Sequence, residues 1–248
     1  MPPATPATTP LAARLAQIDA RIRAACRQAG RPEDACRLLA IAKTRPAAEI
    51  AALADLGVVD IGENYVQEAL ARMDALAGRY PQLAWHLVGP LQSNKTREVA
   101  ARFTWVHSVD REKIARRLSE QRPDHLPPLN ICLQVNIDDE DSKSGVPPEA
   151  VADLAQAVAG LPRLRLRGLM TIPRPGQAAG AGNAYARLAR ILQSLPATIA
   201  GPGAVPGPGA STLDTLSMGM SDDFELAIAH GATWVRIGTA LFGPREYK

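Results

Sequence analysis

Residues 38–46 read Leu-Leu-Ala-Ile-Ala-Lys-Thr-Arg-Pro. The apolar run Leu38 to Ala42, bounded by polar and proline signals, has the form of a buried strand. Lys43 then stands at the strand's C-terminal tip, and Thr44, Arg45 and Pro46 turn the chain toward a helical pattern that begins at Ala47. In a barrel of alternating strands and helices, that tip is where chemistry is placed. An amine held there in a partly dry pocket gives up its proton more readily and can form a Schiff base with an aldehyde. The plain alternative is a solvated charge reaching outward on its apolar stem.

The pattern around this stretch repeats. Leu11, Leu15, Ile18 and Ile22 recur at helical spacing and mark an amphipathic helix ending near Gly30-Arg31-Pro32. Strand-like runs come next at Leu38 to Lys43, Val58 to Gly62, Trp85 to Gly89, Trp105 to Val109, Ile131 to Ile137, Leu166 to Ile172, Thr215 to Met218 and Val235 to Gly238. Helical patterns lie between them at Ala47 to Leu56, Tyr65 to Ala77, Lys95 to Arg102, Arg111 to Glu120, Pro148 to Gly160, Asn183 to Leu195 and Asp222 to His230. Eight strands alternating with helices fit an α/β fold, a (β/α)8 TIM barrel in a single domain with an extra N-terminal helix. The competing fold is a doubly wound open sheet, but no G-x-G-x-x-G comes after the first strand. The expected division is a disordered leader over residues 1–10 and a barrel domain over 11–248. The Pro/Gly stretch Gly201 to Gly209 is expected to be a surface loop before the seventh strand.

The 248 residues suit one large α/β domain, and a hydrophobic content of 46% is enough for a sizeable core. Aromatics are only 4%, so that core must come largely from Ala, Leu, Val and Ile. The formal charge of +3 is small and interleaved, which argues against a nucleic-acid partner. Cys26, Cys36 and Cys132 are odd in number and lack metal-ligand spacing, as do the four histidines. These features fit a reducing cytoplasm without disulfides or a dedicated metal site. Residues 1–10, MPPATPATTP, lack the cationic and apolar regions of a signal peptide, and no run of 18 apolar residues suggests a membrane span.

The C-terminal segment carries the second piece of chemistry. Ser217-Met218-Gly219 ends the seventh expected strand, with Ser221 or Asp222 placed to cap the next helix. Arg236-Ile237-Gly238-Thr239 ends the eighth. Loops after strands seven and eight of such barrels often cup a phosphate, using backbone N–H groups and hydroxyls. Gly238 lets an anion approach the backbone; Ser217 and Thr239 supply donors. The plain alternative is ordinary turn and cap chemistry. A strand-end lysine, a phosphate cup and a strand-borne arginine together suit pyridoxal 5′-phosphate, which brings an aldehyde, a phosphate and a ring nitrogen.

Seven stretches then carry a resemblance: LLAIAKTRP, DIGENYVQEA, WHLVGPLQSNK, VHSVD, VNIDDEDSKSGV, GLMTIP and LSMGMSDDFELAIAHGATWVRIGTALFG. They run in order from about residue 38 to residue 243. In them the chain resembles the YggS/PROSC family of pyridoxal phosphate homeostasis proteins, whose fold is similar to the N-terminal barrel of alanine racemase. The resemblance implies that pyridoxal 5′-phosphate is held as an aldimine of Lys43. It implies phosphate ligands at Ser217, Met218, Gly219, Gly238 and Thr239, and Arg236 as partner of the pyridine nitrogen. Asn64, His86 and Met170 are implied to lie around the ring. Their plain alternatives are a helix cap, a satisfied core histidine and core filler.

Two functional classes are open to such a chain. One is a carrier that buffers the cofactor for vitamin B6 homeostasis and passes it to apo-enzymes, without catalysis; the other is a racemase or lyase of the alanine racemase kind. Arginine keeps its proton near neutral pH, so Arg236 opposite a pyridine nitrogen leaves a poor electron sink. Racemisation also needs an acid/base on each face. None of Tyr65, Tyr80, Tyr185 and Tyr247 is placed opposite Lys43 by its position in the sequence, and the end at Lys248 leaves no expected second domain to supply one. The carrier is therefore the favoured expectation, monomeric and cytoplasmic. Lys143, in the acidic loop after the fifth strand, is a further amine for cofactor hand-off, or a solvated charge.

Overall fold

Eight short strands pair in parallel and in sequence order, and the last returns to the first to close a barrel. The computed structural model describes residues 9–138, 144–174, 183–196, 199 and 213–243. The strands are β1 (Arg37–Ile41), β2 (Asp60–Glu63), β3 (Ala84–Leu87), β4 (Trp105–Val109), β5 (Leu129–Gln134), β6 (Leu164–Met170), β7 (Thr215–Ser217) and β8 (Trp234–Ile237). Closure is made by the β1–β8 ladder, in which Leu38 lies opposite Val235 and Leu39 opposite Arg236. The helices are α1 (Pro10–Gln28), α2 (Ala47–Asp55), α3 (Val66–Leu76), α4 (Thr96–Arg102), α5 (Glu112–Gln121), α6 (Val151–Ala159), α7 (Ala184–Ser194), α8 (Phe224–Ala229) and α9 (Thr239–Phe242). This is the expected (β/α)8 barrel preceded by an extra helix.

The strands are three to seven residues long. Along β1, Ala40 pairs its outward face with the helix layer, while Leu39 and Ile41 face the barrel interior with Val88 and Trp234. The continuous apolar run at 38–42 is thus buried on both faces, as a parallel strand requires. The interior also holds Trp105, Cys132 and Met170. Between these two apolar clusters runs a column of buried polar groups, which is unlike the branched aliphatic filling usual in such barrels.

All eight expected strands are present, with ends displaced by up to three residues. The expected helix at Asp222 starts instead at Phe224, with Asp223 in the cap position. Asp223 Oδ1 accepts from Met220 N at 2.7 Å, so the carboxylate closes a turn rather than capping the helix. At the start of the chain, Thr9 Oγ1 accepts from Ala12 N and Pro10 begins α1, so helix order reaches into the stretch expected to be leader. The one-turn helix α9 has no counterpart in the sequence pattern. Its shortness explains α1: the first helix packs beside α8 and α9, and Arg14 Nε donates to Leu241 O at 2.6 Å. The N-terminal helix therefore covers a flank that the eighth barrel helix is too short to shield. The Gly201 to Gly209 stretch, Lys143 and Tyr247 lie outside the described residues.

Candidate functional site

A cavity of about 320 Å³ opens where the strands end, at the C-terminal mouth of the barrel. That is the low end of the usual size of small-molecule pockets, enough for one compact ligand. It is lined by Lys43, Arg45, Asn64, Ser221, Asp222, Arg236, Gly238 and Thr239, with Ile41, Val88, Ile172 and Met220 as apolar surface.

Lys43 reaches this wall through a tightly held turn. Arg45 N donates back to Ala42 O at 2.9 Å, and between them Thr44 adopts φ 64°, a left-handed conformation that β-branched residues avoid. The turn is gripped from α3: Arg72 Nε donates to Arg45 O at 2.7 Å. The same guanidinium donates to Glu63, a fully buried carboxylate at the end of β2. Burial pushes Glu63 up to about 7, against the lowering effect of Arg72.

Asn64 comes after Glu63 and is half-buried on the next part of the wall. The chain after β3 presses directly on it. A Cβ at Gly89 would overlap Asn64 O, so only glycine allows that approach.

Arg236, on β8, forms the floor. It is 5% exposed and donates through Nη1 to Ser217 O at 2.6 Å and Ser217 Oγ at 3.0 Å, and through Nη2 to Thr171 O at 2.8 Å. Among the described residues these bonds take three of its five N–H groups. Burial lowers its pKa to about 10, so it stays charged at neutral pH.

Part of the expected site lies outside the cavity lining. Ser217, Met218 and Gly219 are buried beneath the cavity rather than among its lining, and the same segment meets the cavity through Met220, Ser221 and Asp222. Gly219 has φ 93° and sits so close to α8 that a Cβ there would come within 2.6 Å of Ala227 Cβ. The turn it makes carries Ser221 up to the mouth. β7 ends at Ser217, and the chain joins the cavity lining three residues later, at Met220. Gly238 and Thr239 do line the cavity, as does Asn64.

His86 and Met170 also lie below it. His86 is fully buried and stacks on Trp105, with ring centroids 5.5 Å apart and planes 6° apart; Met170 packs with Trp105 and Cys132. His86 belongs to the polar column. Its Nε2 is 3.1 Å from Asp60 Oδ1, and its Nδ1 is 2.9 Å from His107 Nε2. His107 Nδ1 is 2.8 Å from Ser217 Oγ. Burial lowers the pKa of both histidines, against the raising effect of Asp60 on His86, and the neighbouring His86 and Arg236 lower His107 further, which favours the neutral rings. His107 was not singled out in the sequence. Its alternation with Trp105 along β4 was the available signal, since both then face inward.

Of the described tyrosines, none lines the cavity. Tyr185 is buried behind it and donates to Asp223 Oδ2 at 2.7 Å, which braces the turn carrying Ser221. Burial and the Asp223 carboxylate both push its pKa up, so it stays protonated. No cluster of three metal-ligating side chains occurs among the described residues. Nor is any described helix long and apolar enough to cross a membrane.

Comparison with known proteins agrees with this fold. Residues 13–246 match the family described as alanine racemase, N-terminal domain. The pyridoxal phosphate homeostasis protein of Pseudomonas aeruginosa is 54% identical over 238 residues, covering 96% of each chain. That of Escherichia coli K12 is 47% identical over 247 residues, covering 96% of this chain and 97% of the other. Among solved structures, PipY of Synechococcus elongatus PCC7942 with pyridoxal phosphate bound is similar at a TM-score of 0.74 and 33% identity. The match covers 94% of this chain and 100% of PipY. The chain belongs to the alanine racemase N-terminal domain family and, within it, to the pyridoxal phosphate homeostasis proteins.

Proposed function

We propose that this chain binds pyridoxal 5′-phosphate at the barrel mouth and holds it in reserve for other proteins, without turning over amino acids. The observation that carries the reading is that Lys43, Arg236, Ser221, Gly238 and Thr239 line one cavity. The donor set fits the cofactor: an amine for its aldehyde, hydroxyls and the Gly238 backbone for its phosphate, and apolar surface for its ring. Its relatives support the same reading, because they are named for pyridoxal phosphate homeostasis and PipY binds the molecule.

When bound, pyridoxal phosphate supplies an electrophilic aldehyde and a ring able to delocalise negative charge. The residues here restrain that chemistry. Lys43 offers the amine for covalent attachment. Arg236 donates from a guanidinium pinned by three protein acceptors and keeps its proton at neutral pH, so it does not protonate a ring nitrogen. Among the described lining residues there is no tyrosine or histidine to serve as a second acid/base opposite Lys43. Holding is favoured over turnover, and transfer to apo-enzymes is the use that remains.

Borohydride reduction of the loaded protein, followed by peptide mapping, tests the site. The label is expected on the Lys43 peptide and lost in Lys43→Ala. Label on another lysine refutes the assignment. Turnover of a panel of L- and D-amino acids above about 1 s⁻¹, the low end of ordinary enzyme rates, refutes the carrier role.

A further inference from the structure

The polar column joins two ends of the barrel. Asp60 is the first residue of β2, at the end away from the cavity, and Arg236 is the cavity floor. We propose that Asp60 is a positioning residue for Arg236, acting through a chain of hydrogen bonds in His86, His107 and Ser217 that can run in one direction only.

The direction is set by proton counting. Asp60 is ion-paired with Arg37 at 2.6 Å, and a carboxylate only accepts. His86 Nε2 must therefore carry the proton that points at Asp60. A neutral imidazole has one N–H, so His86 Nδ1 is bare and accepts from His107 Nε2–H. His107 Nδ1 is then bare in turn, and accepts from the Ser217 hydroxyl. That uses the only hydrogen of Ser217, so its Oγ offers lone pairs to Arg236 Nη1. Arginine only donates. An obligate acceptor at one end and an obligate donor at the other thus fit a column with no proton missing and none to spare.

Packing holds the column in this state. Exposure is 8% at Asp60, 5% at Arg236 and 0% at the three residues between them. Trp105 stacks on the His86 ring and Trp234 meets it edge-on at 5.1 Å, which prevents the ring from turning over. Buried and fully satisfied chains of this kind specify one geometry, because every alternative leaves a polar atom unpaired. The consequence reaches the cavity. The Ser217 hydroxyl is committed downward and cannot donate to a ligand; it acts instead as a fixed acceptor that aims Arg236.

The test begins with the ligand-free full-length protein, so it does not depend on the cofactor reading. Nitrogen-15 NMR should show His86 and His107 both neutral with the proton on Nε2 across pH 6 to 8. An Nδ1–H form of either ring, or titration of either in that range, overturns the proposal. Asp60→Asn has the same shape but can donate as well as accept, so His86 Nε2 is no longer obliged to carry the proton. It should lose the uniform Nε2–H pattern at both rings and weaken binding of pyridoxal 5′-phosphate about three- to tenfold, the effect of one mis-set hydrogen bond. Wild-type tautomers with wild-type affinity in that variant would refute the idea. Ser217→Ala covers the case in which Asp60→Asn fails to fold. It cuts only the last link, so both histidines should keep Nε2–H while affinity falls by a similar factor; reversed tautomers would contradict anchoring by Asp60. Wild-type protein that shows the expected tautomers but binds no cofactor refutes the proposed function and leaves the column standing.

Discussion

Arg72 Nη1 reaches both carboxylate oxygens of Glu63, at 2.9 and 3.0 Å, and Nε of the same side chain donates to Arg45 O, which joins the end of β2 to the turn that carries Lys43. The Glu63 side chain is wholly shielded from solvent, and burial outweighs its partner in setting its acidity.

The first prediction concerns pH. Burial raises Glu63 from 4.5 to about 7 in the folded state, so the folded chain keeps a proton that the unfolded chain has released. Its stabilising contribution is complete below about pH 4.5 and is lost as pH rises toward 7, amounting to about 3 kcal/mol. Urea unfolding at several pH values should show this decline, and Glu63→Gln should remove it. Identical pH profiles for the two proteins would refute the shift.

Thr44 provides the second. A left-handed β-branched residue stores on the order of 1–3 kcal/mol of strain. Thr44→Gly relieves it at an entropic cost of about 1 kcal/mol in the unfolded chain, so thermal stability should be unchanged or higher. Lys43 then loses a rigid support, and affinity for pyridoxal 5′-phosphate should fall. A Thr44→Gly variant that melts clearly below wild type would show that the conformation is not strained.

A third prediction separates the cavity wall from its floor. Ser221→Ala and Thr239→Val should each weaken pyridoxal 5′-phosphate binding by about 1–3 kcal/mol, as expected for a lost donor to a charged acceptor. Gly238→Val should do more damage, since its side chain would stand between Ile41 and the incoming anion. Titration of the cofactor absorbance reads all three. Wild-type affinity in every one would place the phosphate elsewhere.

Gly168 supports the fourth. A Cβ there would overlap Thr215 O on the neighbouring strand β7, and backbone cannot retreat without opening the barrel. Gly168→Ala should cost roughly 3 kcal/mol or more, which a fall in melting temperature or loss of soluble protein would report. A variant with wild-type melting would mean that the β6–β7 ladder can yield.

Much of this architecture was legible along the chain. The run at 38–42 announced a strand because it is apolar on both faces, and Trp105 to Val109 agreed with the structure at both ends. Lys43, Asn64, Arg236, Gly238 and Thr239 could be grouped because strand ends in a parallel barrel all open on the same face. That grouping needs only the order of strands and helices, which local periodicity reports.

Height within the barrel was not legible. Ser217 and Ser221 are four residues apart and chemically alike, yet one is sealed beneath Arg236 and the other faces the cavity. His86 and His107 both point inward by strand alternation, but nothing in their spacing shows that they meet each other and connect Asp60 to Ser217. Alternation along a strand records which side a residue faces. How far up the barrel it stands depends on the stagger between strands, and that stagger exists only once all eight have paired and the ring has closed.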